Sequence, residues 1–347
     1  MIPAMGRISV LLLGLLAVLL VSVICATAVG SVFIPFPTVV AIFLDRLPGV
    51  STEGWLPAQA AIILHLRFPR VLLAVLVGGA LSLAGAVLQG LFRNPMADPG
   101  IIGVSSGGAL GAVVAVTSGL ALEYPWTLPL FAFMGAGGAT LAIYRLSTHH
   151  GRTPLARLLL AGLAVGAFLT AMSSFLLSLA QNIFVLREML FWLLGGLDGR
   201  GWRHVLLVSG PVILGSLALV LFARDLNLLA VLGEEGAKSL GVEMTQLKRW
   251  LLALTALITG VVVSVSGIIG FVGLIVPHAV RLLWGPDHRV LLPVSFLAGA
   301  VFVIWTDLFT RTVLPAEELR LGVVTAAIGA PFFLYLLQRY RLRTEEI

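Results

Sequence analysis

The chain of 347 residues is 59% hydrophobic, with a mean hydropathy of +1.07 and 11% charged residues, where soluble domains carry about 25%. That composition leaves no room for a separate soluble domain, and the single cysteine, Cys25, excludes an intramolecular disulfide. The formal charge of +6 comes without a basic stripe interleaved with aromatics, so no nucleic-acid partner is expected.

Apolar runs of about 20 residues, each long enough for a spanning helix, follow one another almost end to end. Spans are predicted at 8–34, 71–91, 99–120, 126–146, 158–180, 204–222, 250–266, 268–283, 290–309 and 321–338. Ala26-Thr-Ala28 resembles a signal-peptidase site. The run before it exceeds a signal h-region of about 7–15 residues, so it is read as an uncleaved first helix. The second span is entered through Arg67 and Arg70 and left through Asn94-Pro95, and the third is rich in Gly and Ser. Broken helices and small residues suit a bundle whose interior is used for transport.

The 250–283 region is too long for one comfortable span and short for two, with Gly267–Gly270 the expected break. Charge decides for two. With ten spans, 14 of the 22 Lys and Arg fall on the side of the N-terminus, while the 16 acidic residues divide evenly. That bias makes the N-terminal side cytoplasmic. The prediction is an all-α polytopic membrane protein, one transmembrane domain over 1–347, with about ten helices and both termini in the cytoplasm.

Some charges break the pattern. Arg67 and Arg70 lie at the outer mouth of span 2, and Arg311 at the outer end of span 9, followed by Glu317 and Glu318. Long side chains snorkel to an interface; equally, arginine forks would bind carboxylates of an acidic partner outside. Asp307, four residues before Arg311, is expected to form a local pair with it. The longest inner loop, 223–249, carries Leu226, Leu228, Leu229 and Leu232, then Gly233, Glu234, Glu235, Lys238, Leu240 and Gly241. It reads as two short helices with glycines at their ends. Such a loop would lie on the membrane surface, or insert a leucine face rimmed by charges into a cytoplasmic protein.

No engine or reaction centre is expected in the chain. A P-loop needs Gly-Lys-Ser/Thr, and Lys238-Ser239 follows Ala237. Gly103-Val-Ser105-Ser-Gly107 fits a nucleophile-elbow pattern, but lies in a span where small residues serve helix packing. His278, its conceivable base, follows Pro277 and reads as structural. His65, His149, His150 and His288 show no metal-ligand spacing. Intramembrane acids, the elements of proton relays, are nearly absent. Ser82, Gln89, Ser105, Ser106, Ser173 and Ser174 offer mildly polar lining or packing positions.

Several long motifs, in order, carry a resemblance over nearly the whole chain after span 1. They are Arg67-Phe-Pro-Arg70, Gly85 through Gly103, Leu158-Leu-Leu-Ala-Gly162, Phe191-Trp-Leu-Leu-Gly-Gly196, Gly270 through His278, Asp287 through Pro293, and Gly322 through Phe332. In these the chain resembles the permease subunits of bacterial type II ABC importers for iron chelates, haem and cobalamin. The resemblance implies a homodimer in the cytoplasmic (inner) membrane, two ATPase subunits that hold ATP and Mg below it, and a binding protein above. It implies no cofactor or metal in the chain itself. Arg67, Arg70 and Arg311 fall at the family's binding-protein contacts, and 226–241 at its ATPase-coupling loop. Leu155 and Ala156 fall at its cytoplasmic gate, where some relatives have small hydroxyl residues. The implied activity is alternating-access import of an iron chelate, a ferric siderophore or haem, with cobalamin as the alternative cargo. An ATP-independent secondary transporter and an intramembrane hydrolase are the rival classes.

Overall fold

A computed structural model describes residues 4–30, 32–148, 153–180, 183–314 and 319–344. His149, His150, Arg152, Glu317 and Glu318 lie outside the described residues. The principal helices are α1 (Ala4–Ala28), α2 (Phe36–Leu44), α3 (Pro57–Phe92), α4 (Val104–Thr117), α5 (Thr127–Ser147), α6 (Leu155–Ser178) and α7 (Ile183–Leu193). They continue with α8 (Trp202–Leu221), α9 (Ala223–Ser239), α10 (Met244–Ser266), α11 (Val272–Trp284), α12 (His288–Thr310) and α13 (Leu321–Thr344). Among the described residues seven helices are long and apolar enough to cross a membrane, and three more are apolar but shorter. Together they occupy the ten predicted segments.

The boundaries differ where glycine and proline interrupt the apolar runs. α1 stops at Ala28 rather than near residue 34, because Gly30 and Pro35 precede the separate helix α2. The third predicted span opens instead with a 3₁₀ turn, Pro99–Ile102. Asp98 caps it by accepting from the Gly100 amide at 2.8 Å, and Gly103 reverses into α4 at φ 81°. The expected break after residue 266 is real: α10 ends at Ser266, Gly267 and Phe271 take positive φ, and α11 starts at Val272.

α3 is the central post, with 89% of its most apolar stretch buried. Its small residues explain why. A methyl group on Gly78 would overlap the Gly299 carbonyl of α12, and one on Gly85 would overlap the Gly273 carbonyl of α11. α4 and α5 meet in the same way through Gly107 and Gly135. Without a hydrophobic drive between helices in lipid, close backbone approach supplies the dispersion that holds them. α1, α6 and α8 stand outside this core with most of their side chains uncovered, including Leu13, Leu160, Leu163, Leu206 and Leu214. Two ends result. One holds Arg67, Arg70 and Arg311 and is called the arginine end below; the other holds α9 and the starts of α6, α10 and α12, and is called the loop end.

Candidate functional site

At the arginine end the three arginines expected to meet a partner are turned inward, with Arg67 and Arg311 buried. A six-residue π-helical stretch, Ile62–Arg67, widens α3 and ends at Arg67, a local distortion often found at working sites. Arg67 is 7% exposed and donates to the carbonyls of Thr27 at 3.2 Å, Ala28 at 2.8 Å and Val32. It therefore satisfies the carbonyls left over where α1 ends, a need that outweighs exposure to a partner. Arg70 forks across two acids, with Nε 3.0 Å and Nη2 2.9 Å from Asp307 Oδ1, and Nη2 2.9 Å from Asp198 Oδ1. Arg320 also pairs with Asp198. Arg311 donates to the Ala26 carbonyl and sits 3.4 Å from Asp307 Oδ2. The local Asp307–Arg311 pair is thus present, but Asp307 is foremost the partner of Arg70. Arg67, Arg70 and Arg311, together with His65 and Arg200, line a cavity of about 500 Å³.

A second cavity, of about 550 Å³, runs between α4 and α6. Ser105 and Ser106 line it from α4, and Thr170, Ser173 and Ser174 from α6. Gly162 and Gly166 keep the α6 wall low, and Asp98 stands at the loop end. Burial raises the Asp98 carboxyl above its ordinary pKa, with the Gly100 amide pulling the other way. From Leu159 to Leu177 the groove follows α6 for about 27 Å, most of a membrane's apolar thickness. Among the described residues that line it none is basic. Four of the six polar lining positions suggested by sequence are here. Ser82 and Gln89 are not: both are fully buried in α3, where the Gln89 amide donates to the Leu274 carbonyl at 3.0 Å.

The loop end shows the predicted pair of short helices. α9 kinks at Gly233, whose φ 73° and ψ −176° are non-helical, and Gly241 closes it at φ 87°. The leucine face is divided, however. Leu226 and Leu229 are buried in the core and Leu228 packs on it, so the available apolar surface is Val231, Leu232 and Leu240. The reason is a fastening of the first half to α12. Asn227 bonds Asp287 Oδ1 at 2.6 Å and accepts from the His288 amide at 2.9 Å. Glu234, expected as a rim charge, is 38% exposed and meets Lys248 at 2.7 Å, and Glu235 is exposed. Leu155, half-buried, and Ala156, exposed, open α6 directly behind Pro154.

Sequence reading missed Asp98, Thr170, Asp198, Arg320 and Lys248. Asp198, Arg320 and Lys248 act with partners far away in the chain, and Asp98 and Thr170 come to the groove only through the packing of α4 against α6. Only the rarity of lysine, with Lys238 and Lys248 the sole two, marked one of them.

Seven helices of spanning length and three shorter apolar ones define, among the described residues, a multi-pass membrane protein. The chain belongs to the FecCD transport family, whose profile matches residues 18–339. It is a permease subunit of the type II ABC importer class. The cobalamin import system permease of Halobacterium salinarum is 48% identical over 83% of this chain and 76% of its own. The hemin transport system permease of Yersinia pestis is 40% identical over 95% and 96%. A solved metal-chelate-type ABC transporter in an inward-facing conformation superposes with a TM-score of 0.82, at 32% identity, over 95% of this chain and 99% of that one.

Proposed function

We propose that two copies of this chain form the membrane core of an ATP-driven importer in the cytoplasmic membrane, with both termini inside and cargo passing along the α4–α6 groove. Two separate ATPase subunits, carrying ATP and Mg, press on the exposed part of the 226–241 loop. A binding protein docks at the arginine end, where its acids reach the basic cavity by competing with half-exposed Asp198 for Arg70 and Arg320. Alternating access then moves the start of α6, at Leu155 and Ala156. The uncovered face of α6, on which only Leu158, Gly162 and Ser173 are buried, supports a second copy beside it.

The observation that carries this reading is the groove itself. Hydroxyls can exchange hydrogen bonds with a polar cargo without holding it, as a conducting path requires. With one carboxyl and no basic group, the groove favours a bulky, uncharged, amide-bearing chelate such as a corrinoid, in keeping with the cobalamin permease among the relatives. Arg200, together with the arginine-end cavity, favours a second reading: an anionic haem or ferric chelate, drawn in by charge.

The test is uptake in proteoliposomes by the complete complex, with cobalamin, haem and a ferric siderophore compared. ATP-dependent cobalamin uptake that is lost in Thr170→Lys supports the first reading. Uptake of only an anionic chelate replaces it by the second, and flux without ATP refutes the importer.

A further inference from the structure

Lys248 lies one turn into α10, is 6% exposed, and spends its donors on two other parts of the chain. Its Nζ is 2.7 Å from Glu234 Oε1 and 3.0 Å from the Thr153 carbonyl. Glu234 directly follows the kink at Gly233. Thr153 directly precedes Pro154, the N-cap of α6, and its hydroxyl lies 2.9 Å from that of Thr148 at the end of α5. One buried ammonium thus joins the second half of the loop, the base of α10 and the start of the groove-lining helix.

The two halves of α9 are held very differently. Before Gly233 the chain is fixed by buried Leu226 and Leu229 and by Asn227 on α12. After it, Glu235, Lys238 and Leu240 are exposed and Ala237 alone is buried, so a push there turns about the kink. Whatever turns carries Glu234. The pair is held at 2.7 Å with its ammonium buried and its carboxylate 38% exposed, so it resists separation more than a fully solvated one, and Glu234 draws Lys248 with it. Lys248 in turn bears on the Thr153 carbonyl, and a rigid helix begins two residues later. An apolar residue would fill the same space without the cost of burying a charge, which leaves the linkage as what the lysine adds.

We infer that Lys248 is a positioning residue for transport: it transmits movement of the 234–240 segment to the start of α6, and so to the groove. This rests on the reading that an ATPase drives the loop and that cargo follows α6.

The experiment uses the whole complex in proteoliposomes, with ATP hydrolysis and cargo uptake measured together for wild type, Lys248→Arg, Lys248→Met and Glu234→Gln. In a Cys25→Ser background, spin labels at Leu240→Cys and Ala156→Cys, both exposed sites, report each end of the linkage. Lys248→Met should keep nucleotide hydrolysis and the motion at 240, and lose the motion at 156. Its cargo moved per ATP should fall by roughly an order of magnitude, within the range of coupling networks. Lys248→Arg, which can still donate to both partners, should retain most of the yield. Glu234→Gln keeps the ammonium on Thr153 and should lower the yield in the same direction, so it preserves the test if Lys248→Met fails to assemble. Unchanged cargo per ATP in Lys248→Met or in Glu234→Gln overturns the inference. Absence of ATP-dependent uptake in the wild-type complex overturns the importer reading beneath it.

Discussion

Replacing Arg70 with methionine should be among the most damaging single changes at the arginine end. Asp307 is 1% exposed and receives Nε and Nη2 of Arg70 within about 3 Å. At that spacing and an effective dielectric of about 20, one charge pair is worth roughly 5 kcal/mol before desolvation is counted. The methionine variant leaves the buried carboxylate facing Arg311 at 3.4 Å, and orphaning one member of a buried pair costs about 3–5 kcal/mol. Asp198, 30% exposed and still paired with Arg320, adds little to that cost. Thermal and denaturant unfolding of the purified protein in detergent, run as a double-mutant cycle, checks the figure. Arg70→Met should lose about 3–5 kcal/mol, whereas Arg70→Met with Asp307→Leu should recover part of it, because the buried carboxylate goes with its partner and Arg311, though it loses a counter-ion, keeps the Ala26 carbonyl. A single-variant loss below about 1 kcal/mol, the level of a solvated surface pair, would refute the buried-network reasoning.

Gly85→Ala drives a methyl group into the Gly273 carbonyl and should cost about 1–3 kcal/mol or more. Gly137→Ala meets open space and should gain up to about 1 kcal/mol of helix propensity; denaturation midpoints of the pair check both signs. Arg67→Met strands the carbonyls of Thr27 and Ala28, so a loss of about 1–3 kcal/mol is expected, together with faster proteolysis between α1 and α2. Burial raises the Asp287 carboxyl, but the Arg289 amide, the Asn227 amide and the Arg289 and His288 charges outweigh it, and its pKa lies below the ordinary value. Its charged form therefore stabilises the fold above about pH 4 and ceases to as pH falls further. Melting temperatures of wild type and Asp287→Asn should differ at neutral pH and converge in acid.

What sequence conveyed was whatever depends on neighbours along the chain. Ten apolar stretches, the break at Gly267 and the kink at Gly233 are local consequences of hydropathy and of glycine's freedom at positive φ. The arginines show where that stops. Their placement against the charge bias was visible, and it invited the idea of an outside partner. The partners present are the Thr27, Ala28 and Ala26 carbonyls, Asp198 and Asp307, which no periodicity connects to them. The leucines of α9 show the same limit. Helical spacing puts Leu226 and Leu229 on one face, but which face meets the core is decided by Asn227 reaching α12.

The two ends of the molecule are built for different tasks. At the arginine end, buried charges tie α1, α3, α12 and the 198 segment together, and each tie is costly to break singly, so that end moves as a unit or not at all. At the loop end, one half of α9 is anchored, the other turns on a glycine, and a single ammonium leads from it to α6. Between them α3 is locked to α11 and α12 by carbonyl-to-glycine contacts too close for any side chain. α4 and α6, the walls of the groove, lie outside that lock, and α4 moves only together with α5, to which Gly107 and Gly135 join it. Rearrangement there needs neither a broken backbone contact at α3 nor an unpaired buried charge, and a push at residues 234–240 has the shortest mechanical route to it.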